Sequence, residues 1–277
     1  VLAKMLTTSG LGGAAFAGAG PGPVRPAAGF ITDASLLPAL FDSPPSAWPA
    51  RRSGPPAVQG VYAITDSGAQ AAALFDAGLA TVQLRLKRAA GEGGAAWHTR
   101  LAAEVHPALQ AARRHGATLI VNDHWRAALA LGVDFVHLGQ EDLLALDAAA
   151  RADLAQARAR GLRLGISSHS LWELARAVAW APDYVACGPV WPTTTKTMPW
   201  QPQGLANLAW WAAMAPMPVV GIGGVLAPEQ LAQLAASGAA AGCVVRGLAA
   251  HPAADWLRAW RPGPPRPGWP QPSLKAL

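Results

Sequence analysis

The chain has 277 residues, 52% of them hydrophobic and 14% charged, and its net charge of +6 goes with a pI of about 10.0. No apolar run is long enough to span a bilayer, and the arginines are scattered rather than gathered with aromatics into the stripe that marks a nucleic-acid surface. Cys187 and Cys243 lie in apolar runs and predict neither a disulfide framework nor a zinc site, which suits a reduced, cytoplasmic protein.

Fifteen of the 25 prolines lie before Val58 or after Trp260. Residues 1–57 are rich in Gly, Ala and Pro and lack periodicity apart from a short apolar piece at Ser35–Phe41, so they read as an extension with little fixed structure. Lys4 and Met5–Ala19 are dominated by glycine and lack a leucine-rich stretch, which speaks against an export signal. The Pro-rich tail 262–277 reads like the extension, which leaves 58–261 as the folded part.

From Val58 on, strand and helix patterns alternate. Val58–Thr65 predicts a strand and Ser67–Ala77 a helix; Thr81–Leu86 a strand and Trp97–His115 a helix; Thr118–Val121 a strand and Trp125–Leu131 a short helix. Phe135–Leu138 predicts a strand and Ala148–Arg160 a helix; Arg163–Ile166 a strand and Leu171–Trp180 a helix; Asp183–Cys187 a strand and Leu205–Met214 a helix. Val219–Ile222 and Pro228–Ala236, then Gly242–Val245 and Ala253–Trp260, complete the series. Alternation predicts a parallel sheet, and eight even repeats favour closure into a (β/α)8 barrel over an open doubly wound sheet. Trp172, Trp210 and Trp211 fall in helices and read as packing.

Such a barrel carries its chemistry at the C-terminal ends of its strands, and the polar residues fall there. Strand one ends in Thr65-Asp66, and strand two carries Gln83, Arg85 and Lys87 at alternate positions, hence on one face. That face is either the barrel's interior and rim or, if the alternation runs the other way, solvent. Strand three ends in Asn122-Asp123, strand four in His137 with Gln140-Glu141-Asp142 in its loop, and strand five in Ser167-Ser168-His169. Strand six runs into Gly188-Pro189-Val190-Trp191-Pro192-Thr193-Thr194-Thr195-Lys196, whose hydroxyls and ammonium suit a phosphate ester. After strand seven, Gly223-Gly224 before a helix offers backbone N–H groups to an oxyanion, and Arg246 ends strand eight beside it. Asp123 and Asp142, with Gln140 nearby, are hard oxygen donors suited to Mg²⁺ held together with a diphosphate. Ser167-Ser168-His169 does not read as a hydrolase nucleophile and base, because adjacent residues rarely make that geometry.

Taken in order, these segments resemble the thiamine-phosphate synthase family from about Val58 to Ala250. The matching pieces are Tyr62–Asp66, Gln83–Lys87, Val121–Asp123, His137–Asp142, Gly165–Ser167, Gly188–Lys196 and Gly221–Gly224. The resemblance implies an Mg²⁺-dependent transferase that joins hydroxymethylpyrimidine diphosphate to thiazole phosphate and releases pyrophosphate. By match, Gln83, Arg85, Lys87, Asn122, Ser167 and Lys196 would hold the pyrimidine diphosphate, with Arg85, Lys87, Ser167 and Lys196 acting in catalysis. Asp123 and Asp142 would hold Mg²⁺, and Thr193, Thr195, Gly224, Val245 and Arg246 would form the thiazole-phosphate side. The partners implied are two small molecules, with no nucleic acid and no membrane; assembly as a homo-oligomer is compatible with this.

Three features depart from the family pattern: His124-Trp125 where an arginine and a small residue are more usual, Arg246 in place of a serine, and the extension before Val58. The competing readings are a thiazole tautomerase of the same superfamily, which this sequence resembles around Ser167–Ser170, another phosphate-handling barrel enzyme, and a non-catalytic barrel that binds a phosphorylated ligand.

Overall fold

Short apolar runs of four to six residues, separated by turns and amphipathic helices, build the sheet of this protein. The computed structural model describes residues 56–194 and 201–262. The apolar piece at Ser35–Phe41, most of the extension and tail, and Thr195 and Lys196 lie outside the described residues. The strands are β1 (Gly60–Thr65), β2 (Thr81–Leu84), β3 (Thr118–Asn122), β4 (Phe135–Leu138), β5 (Arg163–Ser168), β6 (Tyr184–Cys187), β7 (Val219–Ile222) and β8 (Ala241–Val244). They pair in parallel in sequence order, and β8 closes on β1 with Gly60 opposite Ala241. The result is a (β/α)8 barrel.

The helices are α1 (Gly68–Asp76), α2 (Gly94–His115), α3 (Trp125–Ala130), α4 (Gln140–Leu144), α5 (Ala148–Ala159), α6 (Leu171–Ala179), α7 (Gly204–Met214), α8 (Pro228–Ala236) and α9 (Ala253–Ala259), with a 3-10 turn at Arg246–Ala249. Several start where the sequence supplies a cap: Ser67 Oγ accepts from Gln70 N at 3.2 Å, and Asp147 Oδ1 from Ala150 N at 2.7 Å. Among the described residues no helix is long and apolar enough to cross a membrane.

Two boundaries correct the sequence reading. The loop expected after β4 is the short helix α4, too brief to carry a periodic signal, whose first turn Asp142 caps by accepting from Gly139 N at 2.8 Å. Ser167 and Ser168 belong to β5 itself rather than to the loop beyond it.

Alternation sorts the strand residues into two layers. Val61, Val82, Leu84, Val121, Leu138, Ile166 and Cys187 pack outward under the helices, where Trp210 and Trp211 are also buried. Tyr62, Ile120, Phe135, Tyr184, Val220 and Cys243 fill the interior. Burial pushes both cysteine thiols well above their usual range, so neither is a ready nucleophile near neutral pH.

The interior layer has one gap. Gly165 lies opposite His137 on β4 and opposite Tyr184 on β6. The Tyr184 ring occupies the space a side chain would take: a Cβ on Gly165 would stand 2.2 Å from the ring. Tyr184 thereby reaches across β5, stacks on His137 at 5.5 Å between ring centroids, and meets Tyr62 and Phe135 edge-on at 5.8 Å each. Aromatic pairs of this kind contribute roughly 0.5–1.5 kcal/mol each beyond burial.

Gly165→Ala is therefore expected to lower unfolding free energy by about 1–3 kcal/mol or more in urea titrations, because Tyr184 must be displaced. A variant of unchanged stability would show that the ring has another place to go.

Candidate active site

The C-terminal ends of the strands surround a cavity of about 290 Å³. Gln83 and Asn122 form part of its floor and are buried, and Ile64, Ile222 and Cys243 supply apolar wall. Its polar rim divides by strand. Asp123 follows β3, and Glu141 and Asp142 follow β4, which puts three carboxylates on one arc. Arg85 follows β2 and Arg246 follows β8, which puts two guanidiniums on the adjoining arc. Gly223 and Gly224 after β7 and Thr193 after β6 complete the wall. Arg85, Val245 and Arg246 also line a neighbouring recess that contains Lys87 and Asp66. Of the expected site residues in the described part, all but Lys87 line the main cavity, and Lys87 lines the recess beside it.

The strand-two alternation is settled by packing. Leu84 and Leu86 go to the outer layer, so Gln83 and Arg85 face the barrel mouth. Arg85 continues the sheet through its own N–H, which donates to Thr65 O at 2.8 Å.

Asp123 adopts φ +64, an uncommon backbone state for a residue with a side chain and one that recurs at functional sites. Two carboxylates beside Asn122 fit an ion completed by water and substrate phosphate oxygens, which is how Mg²⁺ is usually held. Among the described residues no cluster of three or more His, Cys, Asp or Glu suited to a metal occurs. Gln140 does not join this group. Its amide donates to Ser167 O at 2.7 Å and Glu173 O at 3.2 Å and accepts from Arg176 at 2.7 Å, so it ties α4 to β5 and α6 inside the protein.

The glycine pair does more than admit an anion. A Cβ on Gly223 would stand 2.6 Å from Pro189, and one on Gly224 2.6 Å from Trp191, so both glycines allow the loop after β6 to lie on the end of β7. Val190 N and Trp191 N donate to Ile222 O and Gly223 O at 2.8 and 3.0 Å across that contact. Just ahead of α8, Gln230 Oε1 accepts from Leu226 N and Ala227 N at 2.7 and 3.0 Å, and Pro228 at the first helical position has no N–H. An anion at this corner of the cavity would meet the Gly223–Gly224 segment. Arg246 donates to Thr194 Oγ1 at 2.7 Å, which links the loops after β8 and β6.

Two histidines that the sequence places at strand ends without a role, His137 and His169, also line the cavity. His137 Nε2 is 2.8 Å from Ser167 Oγ, so the serine's histidine partner is on the neighbouring strand and is not the adjacent His169. Burial, helped by the positive charge of Arg85 and then by the nearby His169, pushes His137 down to about 3. A ring held this far toward its neutral form is a weak general base for Ser167. His169 lines the cavity with Nδ1 2.8 Å from Glu173 Oε2, a pair signalled by its i,i+4 spacing across the start of α6. His124 and Trp125 do not line the cavity: His124 packs edge-on against Trp97 at 4.6 Å, and Trp125 is buried.

The depressed histidine has a consequence for stability. Between the unfolded value of about 6.5 and the folded value of about 3, the unfolded chain binds a proton that native His137 refuses, so stability is lost as pH falls. His124, also lowered by burial, acts in the same direction. Unfolding free energy measured in urea between about pH 6.5 and 5 is expected to fall with a slope on the order of 1 kcal/mol per pH unit. The slope should be shallower in His137→Gln; equal slopes would show that His137 protonates freely in the native state.

Comparison with known proteins agrees with this geometry. The sequence profile described as thiamine monophosphate synthase matches residues 61–248. A thiamine-phosphate synthase of Rhizobium etli is 42% identical over 207 residues, spanning 73% of this chain and 95% of the relative. One from Salmonella paratyphi B is 40% identical over 201 residues, spanning 72% and 88%. Among solved structures, a thiamine phosphate pyrophosphorylase from Pyrococcus furiosus superposes with a TM-score of 0.58 at 25% identity, covering 72% of this chain and 94% of that one. The Mycobacterium tuberculosis tryptophan synthase, at 16% identity and a TM-score of 0.54, shares the fold alone. With this profile over most of the barrel and these relatives, the chain belongs to the thiamine monophosphate synthase family and is a transferase.

Proposed function

We propose that this enzyme joins hydroxymethylpyrimidine diphosphate to thiazole phosphate, giving thiamine phosphate and pyrophosphate. The observation that carries the reading is the division of the cavity rim: Asp123 and Asp142 on one arc, Arg85 and Arg246 on the next, with Ser167 below them. Such a site stabilises a departing anion and supplies no nucleophile of its own. In the reaction, the bond from the pyrimidine's methylene carbon to the diphosphate oxygen breaks, and the electron pair leaves with pyrophosphate. The thiazole nitrogen then gives its lone pair to that carbon. The electron-rich aminopyrimidine carries the positive charge in between.

Arg85 neutralises charge that grows on the leaving diphosphate, and Asn122 at the floor orients the pyrimidine side. Lys87, in the adjoining recess, adds positive charge along the same edge. Asp123 and Asp142 would hold Mg²⁺, which supplies Lewis-acid stabilisation of the diphosphate oxygens when bound. Arg246, Thr193 and the Gly223–Gly224 segment, after β8, β6 and β7, form the wall beyond Arg85 and would receive the thiazole phosphate. Lys196 and Thr195 are assigned to the two halves of the site by family resemblance alone. The apolar wall at Ile64, Ile222 and Val245 limits water around a reactive cation.

A second reading has one observation in its favour. His169 on the cavity wall, with Nδ1 on a carboxylate, has the form of a proton-transfer group, as a thiazole tautomerase would need. Purified protein incubated with Mg²⁺ and both phosphorylated substrates distinguishes the two. The proposal expects thiamine phosphate and pyrophosphate in equal amounts, and neither when one substrate is omitted. Isomerisation of the thiazole without coupling would establish the tautomerase instead.

Asp123→Asn and Asp142→Asn are each expected to reduce coupling at least about tenfold at low Mg²⁺, with partial recovery in excess Mg²⁺. Full activity of both variants at limiting Mg²⁺ would remove these residues from the metal site.

A further inference from the structure

A continuous hydrogen-bonded chain runs through the barrel interior to the cavity. Gln83 Nε2 donates to Tyr62 Oη at 2.6 Å, Tyr62 Oη lies 2.7 Å from Tyr184 Oη, Tyr184 Oη lies 2.7 Å from His137 Nδ1, and His137 Nε2 lies 2.8 Å from Ser167 Oγ. Gln83, Tyr62, Tyr184 and His137 are 2%, 2%, 0% and 6% exposed, so bulk water is poorly placed to replace a missing partner. Each hydroxyl has a single proton, and a neutral imidazole has a single N–H.

Counting protons gives the chain a direction. The Gln83 amide uses an N–H on Tyr62, so the Tyr62 proton goes forward to Tyr184. The Tyr184 proton then goes forward to His137 Nδ1, the ring keeps its own proton on Nε2, and Nε2–H donates to Ser167 Oγ. Reversing any later link leaves a buried tyrosine O–H without an acceptor, which is among the more costly faults in a protein interior. The Ser167 proton, with no place back along the chain, is directed into the cavity.

We propose that the Gln83 amide sets this polarity, that it holds His137 as the Nε2–H tautomer, and that it thereby presents Ser167 as a hydrogen-bond donor to an anionic oxygen of the ligand. Tyr62 and Tyr184 are then positioning residues for the site although neither lines the cavity. That the anion is the departing diphosphate rests on the function proposed above; the tautomer does not.

The first test is a long-range ¹H–¹⁵N NMR spectrum of ligand-free protein labelled in histidine, with the His137 ring assigned. The Nε2–H form is expected; an Nδ1–H ring would mean that the Gln83 amide is turned round and the chain runs the other way, which overturns the inference. The second is a double-mutant cycle on binding of inorganic pyrophosphate with Mg²⁺, using Tyr184→Phe, Ser167→Ala and the pair. Each single change should weaken binding about tenfold, and the pair no more than Ser167→Ala alone, because Tyr184 acts through the serine. Independent, multiplying losses would assign Tyr184 to packing and overturn the positioning role. Absence of pyrophosphate binding by the unaltered protein would overturn the donor-to-anion half. Should Tyr184→Phe fail to fold, the tautomer of the unaltered protein still decides. A protein that makes no thiamine phosphate yet shows the Nε2–H ring and the coupled cycle would sink the proposed function and leave this inference standing.

Discussion

The missing side chain at Gly165 lets the interior of this barrel be polar without being unsatisfied. A parallel barrel ordinarily fills its centre with branched apolar residues contributed in layers. Here one strand contributes nothing at one level, and the Tyr184 ring crosses the gap to reach His137. Two tyrosines, a histidine and a glutamine can then be buried together, since each finds its hydrogen-bond partner inside the set. The same groups without that geometry would be a liability, because a buried hydroxyl or imidazole with no partner costs more than a satisfied one contributes.

Above this floor the site is organised by charge. Carboxylates and guanidiniums occupy adjoining arcs of the rim because β2, β3, β4 and β8 end there, and barrel closure brings β8 beside β1 and close to β2. The arrangement asks several groups to sit where they are less comfortable than in solvent. Asp123 takes a left-handed backbone angle, and His137 is held neutral against its ordinary titration. Both features belong to a site shaped for a ligand rather than for maximal stability. Arg246 shows how local and distant demands combine: it lines the cavity while holding the loop after β6 through Thr194.

Much of this was legible in the sequence because the signals involved are local. Alternating patterns locate every strand, and the rule that barrel chemistry sits at strand ends points to Asn122, Asp123, Ser167 and Arg246, all of which line the cavity. The alternation of Gln83, Arg85 and Lys87 specified one shared face; only the packing of Leu84 and Leu86 under the helices decided which. What could not be read depends on register between strands distant in sequence. Nothing local says that Ser167 pairs with His137 rather than with His169 beside it, or that Gly165 makes room for Tyr184. Gln140, near Asp142 in sequence, shows a related effect: it opens a helix of five residues, which turns its side chain inward to β5 and α6 and away from the carboxylates. The glycine pair after β7 carries a second requirement that only the fold reveals, because close contact with Pro189 and Trp191 calls for both residues as well.

The central claim is that one rim holds a diphosphate between carboxylate-bound metal and guanidinium, with Ser167 donating to it from below. The most direct measurement is a crystal structure of the protein grown with thiamine phosphate, pyrophosphate and Mg²⁺. The account predicts pyrophosphate beside Arg85, a metal ion touching both Asp123 and Asp142, and a pyrophosphate oxygen within hydrogen-bond distance of Ser167 Oγ. Pyrophosphate seated at the Gly223–Gly224 wall, with Asp123 and Asp142 away from any metal, would contradict it.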